Sequence, residues 1–285
     1  MNPYASLVAS YARQFHDGKA LPLGGFPPAA NPSVAAGAPT ALIFSPHPDD
    51  EGLIGGLPLR LRREAAWDVV NVAVTQGSNR ARQAGRLAEL KEACRYLGFG
   101  LVQTAPDGLE KVTPKCRAED QAHWQGMVQT IAGILASYRP RAIFFPHEHD
   151  WNGTHIGTHH LVMDALASLP AGFTTFLVET EYWGQMTKPN LMVEASEQNV
   201  ADQVTSVSFH IGEVRRNPFH LLLPAWMQDN VRRGSELVGG QGGAAPDFGF
   251  ATLYRLRAWR DGKVEEIQTG GRALSVSADP ASLFA

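Results

Sequence analysis

The chain has 285 residues, 44% apolar and 19% charged, and its 25 Lys+Arg against 28 Asp+Glu give a formal charge of -3. That length and apolar fraction suit a globular domain with a full core and exclude a disordered chain. With no run of like charges, a phosphate-tracking surface and a polybasic membrane patch are excluded, so neither nucleic acid nor a membrane is an expected partner. Cys94 and Cys116 are too few for a disulfide framework and lack metal-type spacing, which suits a reducing cytoplasm. No apolar stretch of membrane-spanning length and no basic-then-apolar leader is visible, so a soluble, cytoplasmic protein is expected.

Residues 21–40 hold five prolines, three glycines and no charge. Such a segment cannot form a regular helix or ladder, and residues 1–40 are expected to be an extended lead-in. From Ala41 a rhythm begins. Ala41–Pro46 (ALIFSP) suits a buried strand, Gly52–Ala66 a helix and Asp68–Thr75 a second strand. After the turn-like QGSN comes a helix with Leu87, Leu90, Cys94 and Leu97 on one face and Gly98 at its C-cap. A long amphipathic stretch over about 117–138 follows, then the strand-like RAIFFP, then a helix beginning near His155.

Strands alternating with helices at this spacing predict right-handed βαβ units, hence a mainly parallel, Rossmann-like three-layer α/β/α sheet. Beyond Pro170, TTFLVETEYW and LMVEA read as strands, while VADQVTSVSFHIGEVRR and AWMQDNVRRGSELVG read as helices. Asp261-Gly262 between two alternating runs signals a hairpin, so the sheet should gain a C-terminal β-hairpin extension. No linker divides residues 41–285, which are expected to form one α/β domain.

Two loops carry the chemistry. The loop after the first strand reads Ser45-Pro46-His47-Pro48-Asp49-Asp50-Glu51-Gly52, with one histidine and three acids in five positions. It sits where an open parallel sheet binds ligands, beyond a strand's C-terminal end, although three acids there could equally favour a helix start through the dipole. The second is Pro146-His147-Glu148-His149-Asp150-Trp151-Asn152-Gly153-Thr154-His155-Ile156-Gly157-Thr158-His159-His160, with five of the ten histidines. Both follow apolar strands, which in one parallel sheet places them at the same edge. Neutral imidazole plus carboxylate is a zinc ligand set, and three protein ligands with one open position is the catalytic arrangement. Imidazole with carboxylate also serves facial-triad Fe(II) oxygenases, but that chemistry normally sits in a β-rich jelly roll, which the βαβα rhythm contradicts. No HExxH occurs, which excludes the helix-borne site of the common metalloproteases.

The pair of segments resembles the PIG-L/LmbE-like zinc-dependent deacetylases, which act on N-acetylglucosaminyl and related amides. Their (A/P)HPDDE motif is matched by Pro46 to Glu51 without a gap, and their HPDHxxxH motif imperfectly by Asn152 to His159. Their Arg-x-x-Glu-Leu helix ending in Leu-Gly is similar to Arg86 to Leu90 and Leu97-Gly98. The likeness spans roughly residues 41–170, leaving 171–285 as a substrate-pocket extension. It implies that His47, Asp50 and His155 bind Zn²⁺ and that Asp49 is the general base.

One position departs from the pattern: Asn152 replaces the first histidine of HPDH, a carbonyl-polarising group. Either Asn152 does a weaker version of that work or another group takes it over, with His149, His159 and Tyr182 as candidates. His159, four residues after His155, shares its helix face and is expected to support the site rather than bind metal directly. Arg86, Tyr182 and His210 are expected to contact substrate. The activity implied is removal of an N-acetyl group from an amino sugar or a glycoconjugate carrying one. The alternatives are an amidase of the same type acting on a non-sugar or thiol-conjugate amide, and a non-catalytic carbohydrate-binding relative. Nothing in the sequence fixes an oligomeric state.

Overall fold

The computed structural model describes residues 2–285. It opens with helix α1 (Tyr4–Gly18), which corrects the expectation of an extended lead-in for that stretch. The reason is visible in the sequence: Tyr4, Leu7, Val8 and Tyr11 fall at helical spacing. Tyr11 donates to Gln228 Oε1 at 3.2 Å. Residues 21–39, by contrast, run without regular structure, as their prolines require.

The core alternates as expected. β1 (Thr40–Ser45) leads into two short helices, α2 (Asp50–Leu53) and α3 (Gly56–Glu64), where one helix over 52–66 was expected. The break falls at Ile54 and Gly55, between the two. There follow β2 (Asp68–Ala73), α4 (Arg80–Leu97), β3 (Gly100–Gln103), α5 (Pro114–Glu119), α6 (Gln121–Tyr138), β4 (Ala142–Pro146), α7 (Gly153–Ser168) and β5 (Thr175–Thr180). Gly98 closes α4 in the left-handed conformation, with φ 74°.

The C-terminal part adds β6 (Leu191–Glu194), α8 (Glu197–Ser208), α9 (Ile211–Val214), α10 (Leu223–Leu237), β7 (Ala251–Arg260), β8 (Lys263–Glu265) and β9 (Arg272–Leu274). The single helix expected over 200–216 is broken at His210, which caps α9. The hairpin forms at Asp261-Gly262, both residues at positive φ as a tight two-residue turn requires.

Among the described residues the strands form one sheet in the order β3-β2-β1-β4-β5-β7-β6-β9, with β8 beside β7. The first five are parallel neighbours, and β7 runs antiparallel to both β5 and β6. Successive side chains of the parallel strands point to opposite faces. Ile43 and Val69 pack with Leu57, Leu90 and Val207 on one side, whereas Leu42 and Val70 pack with Trp124, Ile131 and Leu161 on the other. The result is the expected three-layer, mainly parallel α/β fold. No helix among the described residues is long and apolar enough to cross a membrane.

Candidate metal centre

Strands β1 and β4 are hydrogen-bonded neighbours running the same way, so the loops after them meet at one edge of the sheet. Ala41–Phe44 of β1 and Ala142–Pro146 of β4 are apolar and buried, which fixes where the residues after them emerge. The first loop is pinned by Thr75, whose Oγ1 donates to Pro46 O at 2.7 Å, and by Arg86 Nη2, which donates to Pro48 O at 3.0 Å. The second is organised by helix capping: Asn152 Oδ1 accepts from Thr154 N at 2.9 Å and His155 N at 3.4 Å, starting α7 so that His155 faces the first loop.

The edge brings together His47, Asp50 and His155, whose nearest ligand atoms all lie within 4.8 Å of one another. Asp50 Oδ2 is 3.7 Å from His47 Nδ1 and 3.4 Å from His155 Nε2, and it also accepts the backbone N–H of His47 at 2.8 Å. His155 Nε2 is buried and makes no hydrogen bond. A buried nitrogen left unanswered is costly, and this one faces a carboxylate and a second imidazole, so the three residues fit a cation. Burial pushes the pKa of His47 down, which keeps its imidazole in the neutral form that binds metal. Burial also opposes a charge on His155, but Asp50 and Asp150 outweigh it and raise its pKa. The carboxylates that favour a proton there favour a metal cation equally.

Asp150 was not singled out in the sequence. Its Oδ2 lies 3.4 Å from Nδ1 of His155, and it accepts from Asn152 N at 2.8 Å and Gly184 N at 3.4 Å. A carboxylate on the far nitrogen of a ligand histidine fixes its tautomer and orientation, so an acid beside a histidine-rich loop was the available signal. Gly184 is required here, since a Cβ would lie 2.8 Å from Asp150 Cα.

Asp49 stands beside the triad without belonging to it. Its carboxylate is 3.9 Å from Arg86 Nη2 and largely buried. Burial, then the neighbouring Asp50, raises its pKa well above the usual carboxylate range. Its backbone adopts φ 117°, outside the ordinary range of an L-residue. Glu51, behind it, is paired with His210.

The other expected residues fall as follows. Arg86 is largely buried: it reaches under the first loop to Pro48 and Asp49 and faces Glu213 at 3.8 Å. Tyr182 packs edge-on against Trp183 and Trp226, with ring centroids 4.8 and 5.1 Å away. Burial, with Asp49 and Asp50 adding to it, pushes its phenol pKa up and keeps the hydroxyl protonated. His210 is fully buried and presents no surface to a substrate, because the break between α8 and α9 turns it inward to Glu51. His159 is not gathered into the triad: its Nδ1 lies 2.9 Å from Pro146 O, and its ring packs on Phe145. His147 is satisfied locally by Gly184 O at 2.9 Å, and His149 is exposed.

A cavity of about 390 Å³ opens onto His47 and is lined by Thr75, Ser78, Lys111 and Thr154, among others. A hollow of about 620 Å³ between α5, α6 and α7 surrounds the Arg117–Asp164 pair instead and lies away from the triad.

The profile of the family described as "PIG-L: GlcNAc-PI de-N-acetylase" matches residues 42–166. No curated protein sequence matches the chain. Among solved structures, the N,N'-diacetylchitobiose deacetylase from Pyrococcus horikoshii is similar with a TM-score of 0.57 at 15% identity, over 80% of this chain and 85% of that one. The 4-carboxy-2-hydroxymuconate hydratase GalB from Pseudomonas putida KT2440 is similar with a TM-score of 0.55 at 14% identity, over 76% and 95%. The A40926 pseudoaglycone deacetylase Dbv21 follows with a TM-score of 0.54 at 14% identity, over 78% and 98%. At such identities the likeness establishes the shared fold, which these names show to host both deacetylation and hydration. Residues 42–166, which contain both histidine–aspartate loops, are the part of the chain that is similar to the PIG-L family.

Proposed function

We propose that the chain is a Zn²⁺-dependent N-deacetylase that hydrolyses the acetamide of an amino sugar or of a glycoconjugate carrying one, releasing acetate and a free amine. The observation that carries this is the pairing of a buried two-His, one-Asp group with a separate carboxylate, Asp49, that the group does not need for ligation. Support comes from the family match over 42–166 and from deacetylases among the proteins of the same fold.

His47, Asp50 and His155 would hold the metal, whose donor set suits zinc. When bound, Zn²⁺ supplies Lewis acidity and lowers the pKa of a water molecule. Asp49 takes the proton of the attacking water on a carboxylate oxygen whose raised pKa suits it to the task, then delivers it to the departing nitrogen. Tyr182, held protonated, keeps a hydroxyl hydrogen to donate to the amide oxygen as negative charge grows there. Asn152 spends its carbonyl oxygen on the helix cap and offers only its Nδ2 hydrogens to the same oxygen.

The test joins elemental analysis of the purified protein to acetate release from a panel of N-acetylated sugars, with and without chelator. We expect about one zinc per chain and chelator-sensitive release. Asp50→Ala should lose metal and activity, whereas Asp49→Asn should keep the metal and lose turnover. A protein without a transition metal, or an Asp49→Asn variant with near-native turnover, contradicts the scheme.

A further inference from the structure

Glu51 and His210 form a couple sealed from solvent: Glu51 Oε1 lies 2.7 Å from His210 Nε2, and both side chains are 0% exposed. The second carboxylate oxygen, Oε2, accepts the backbone N–H of Asp49 at 3.0 Å. That peptide belongs to the residue with φ 117°, a conformation that crowds a Cβ and persists only where the surroundings over-determine it. Five other contacts hold the same turn: Asp50 N donates to His47 O at 3.3 Å, His47 N to Asp50 Oδ2 at 2.8 Å, Gly52 N and Leu53 N to Asp49 O at 3.1 and 3.2 Å, and Arg86 Nη2 to Pro48 O at 3.0 Å. Only the Glu51 carboxylate answers the Asp49 N–H.

His210 reaches Glu51 because α8 is seated directly on α2. Gly52 permits the approach, since a Cβ there would lie 2.6 Å from Ser206 Oγ and 2.8 Å from Val207 Cγ2. Gln203 Nε2 donates to Gly52 O at 3.1 Å and locks the register. The chain then breaks at His210 and turns its imidazole into the space behind Asp49. His210 lies outside the family-matched segment 42–166.

We propose that His210, acting through Glu51, is a positioning residue that holds the strained Asp49 peptide and thereby aims the Asp49 carboxylate at the His47–Asp50–His155 group. This rests on the reading of Asp49 as the general base. A single donor on Oε1 fixes the rotation of the Glu51 carboxylate, so that Oε2 is presented to the Asp49 N–H. A buried couple that merely filled space would leave the Asp49 backbone indifferent to its removal.

The decisive experiment needs no substrate. Asp49→Gly and Asp49→Ala differ only in the Cβ that φ 117° crowds, so in the native background the glycine variant should melt about 2 °C or more above the alanine variant. Removing His210 alone leaves a buried carboxylate without its partner and can unfold the chain. The comparison is therefore repeated with Glu51→Leu/His210→Leu, which replaces the couple by apolar side chains. There the peptide can relax, and the difference should fall to less than half. An undiminished difference overturns the proposal.

Zn²⁺ binding, measured by chelator competition, should agree within about threefold between the native protein and the double variant, because the couple touches none of the three proposed ligand side chains. A collapse of zinc affinity would instead make the couple part of the metal site and overturn the positioning role. On N-acetyl-D-glucosamine as probe, kcat should drop about 10- to 100-fold with KM unchanged. His210→Gln, which returns an N–H donor, should restore most of it. If Asp49→Asn keeps its turnover, the base assignment falls while the melting comparison still decides the positioning role.

Discussion

Asp150 stands 3.4 Å from Nδ1 of His155, across the imidazole ring from Asp50, which stands 3.4 Å from Nε2. One carboxylate therefore orients the ring and the other shares its face with the proposed metal. Asp150→Asn should leave the three ligands in place but weaken zinc binding by about 10- to 100-fold, as loss of a histidine's outer partner does. Competition against a chelator of known affinity measures it, and an unchanged affinity would show that Asp150 serves only the Gly184 turn.

Asn152 can be divided between its two atoms. The Oδ1 caps α7, so Asn152→Ala should cost about 1 kcal/mol of stability, read from denaturant unfolding. Asn152→Asp preserves the capping oxygen and should unfold near the native midpoint. If the Nδ2 hydrogens assist the amide oxygen, the aspartate variant loses turnover while staying folded. Full activity in Asn152→Asp would confine the residue to its cap.

Gly52→Ala places a methyl group 2.6 Å from Ser206 Oγ and 2.8 Å from Val207 Cγ2. Helix α8 must shift to admit it, at about 1–3 kcal/mol. Combining it with Ser206→Ala should recover part of that loss. Additive losses in the pair would place the strain elsewhere.

His159 gives a pH signature. Burial lowers its pKa from 6.5 to about 4, and Glu179, 3.5 Å away, does not reverse this because it is paired with Arg257 at 2.8 Å. In the unfolded chain the residue titrates near its ordinary value, so between those limits the unfolded state binds more protons and stability rises with pH. The contribution is complete above pH 6.5 and is lost as pH falls towards 4. It amounts to about 3–4 kcal/mol, at about 1.4 kcal/mol per pKa unit. His159→Asn keeps a donor for Pro146 O and removes the titration. Denaturant unfolding from pH 7.5 to pH 4.5 should show a shallower decline in the variant, and parallel declines would refute the assignment.

The parallel half of the sheet was legible because its strands are uninterrupted apolar runs and its helices carry their own stops, as at Gly98. The grouping of His47, Asp50 and His155 was legible through the resemblance carried by the two motifs, whose loops follow the neighbouring parallel strands β1 and β4. Helix α1 went unseen because the proline-rich stretch after it suggested extended chain throughout 1–40, although Tyr4, Leu7, Val8 and Tyr11 carry the period. His210 was expected to contact substrate because polarity along a chain does not say which way a helix break turns a side chain. The Glu51–His210 contact spans 159 residues, a separation at which local pattern carries no information. Beyond its place in the histidine-rich loop, Asp150 carries no signal of its own in the sequence, because its role depends on the His155 ring that helix α7 turns towards it.

Strand β7 is hydrogen-bonded between β5 and β6, both of which precede it in the chain by more than fifty residues. On a ribosome the edge of β5 and the edge of β6 therefore emerge open and wait for the same late segment. A nascent chain stalled before Ala251 already contains His47, Asp50, His155 and the Glu51–His210 couple, yet it exposes one edge of β5 and both edges of β6 to its neighbours. Assembly of the sheet is consequently tied to emergence of Ala251–Arg260, and the hazard before that point is edge-to-edge association rather than loss of the His47–Asp50–His155 group.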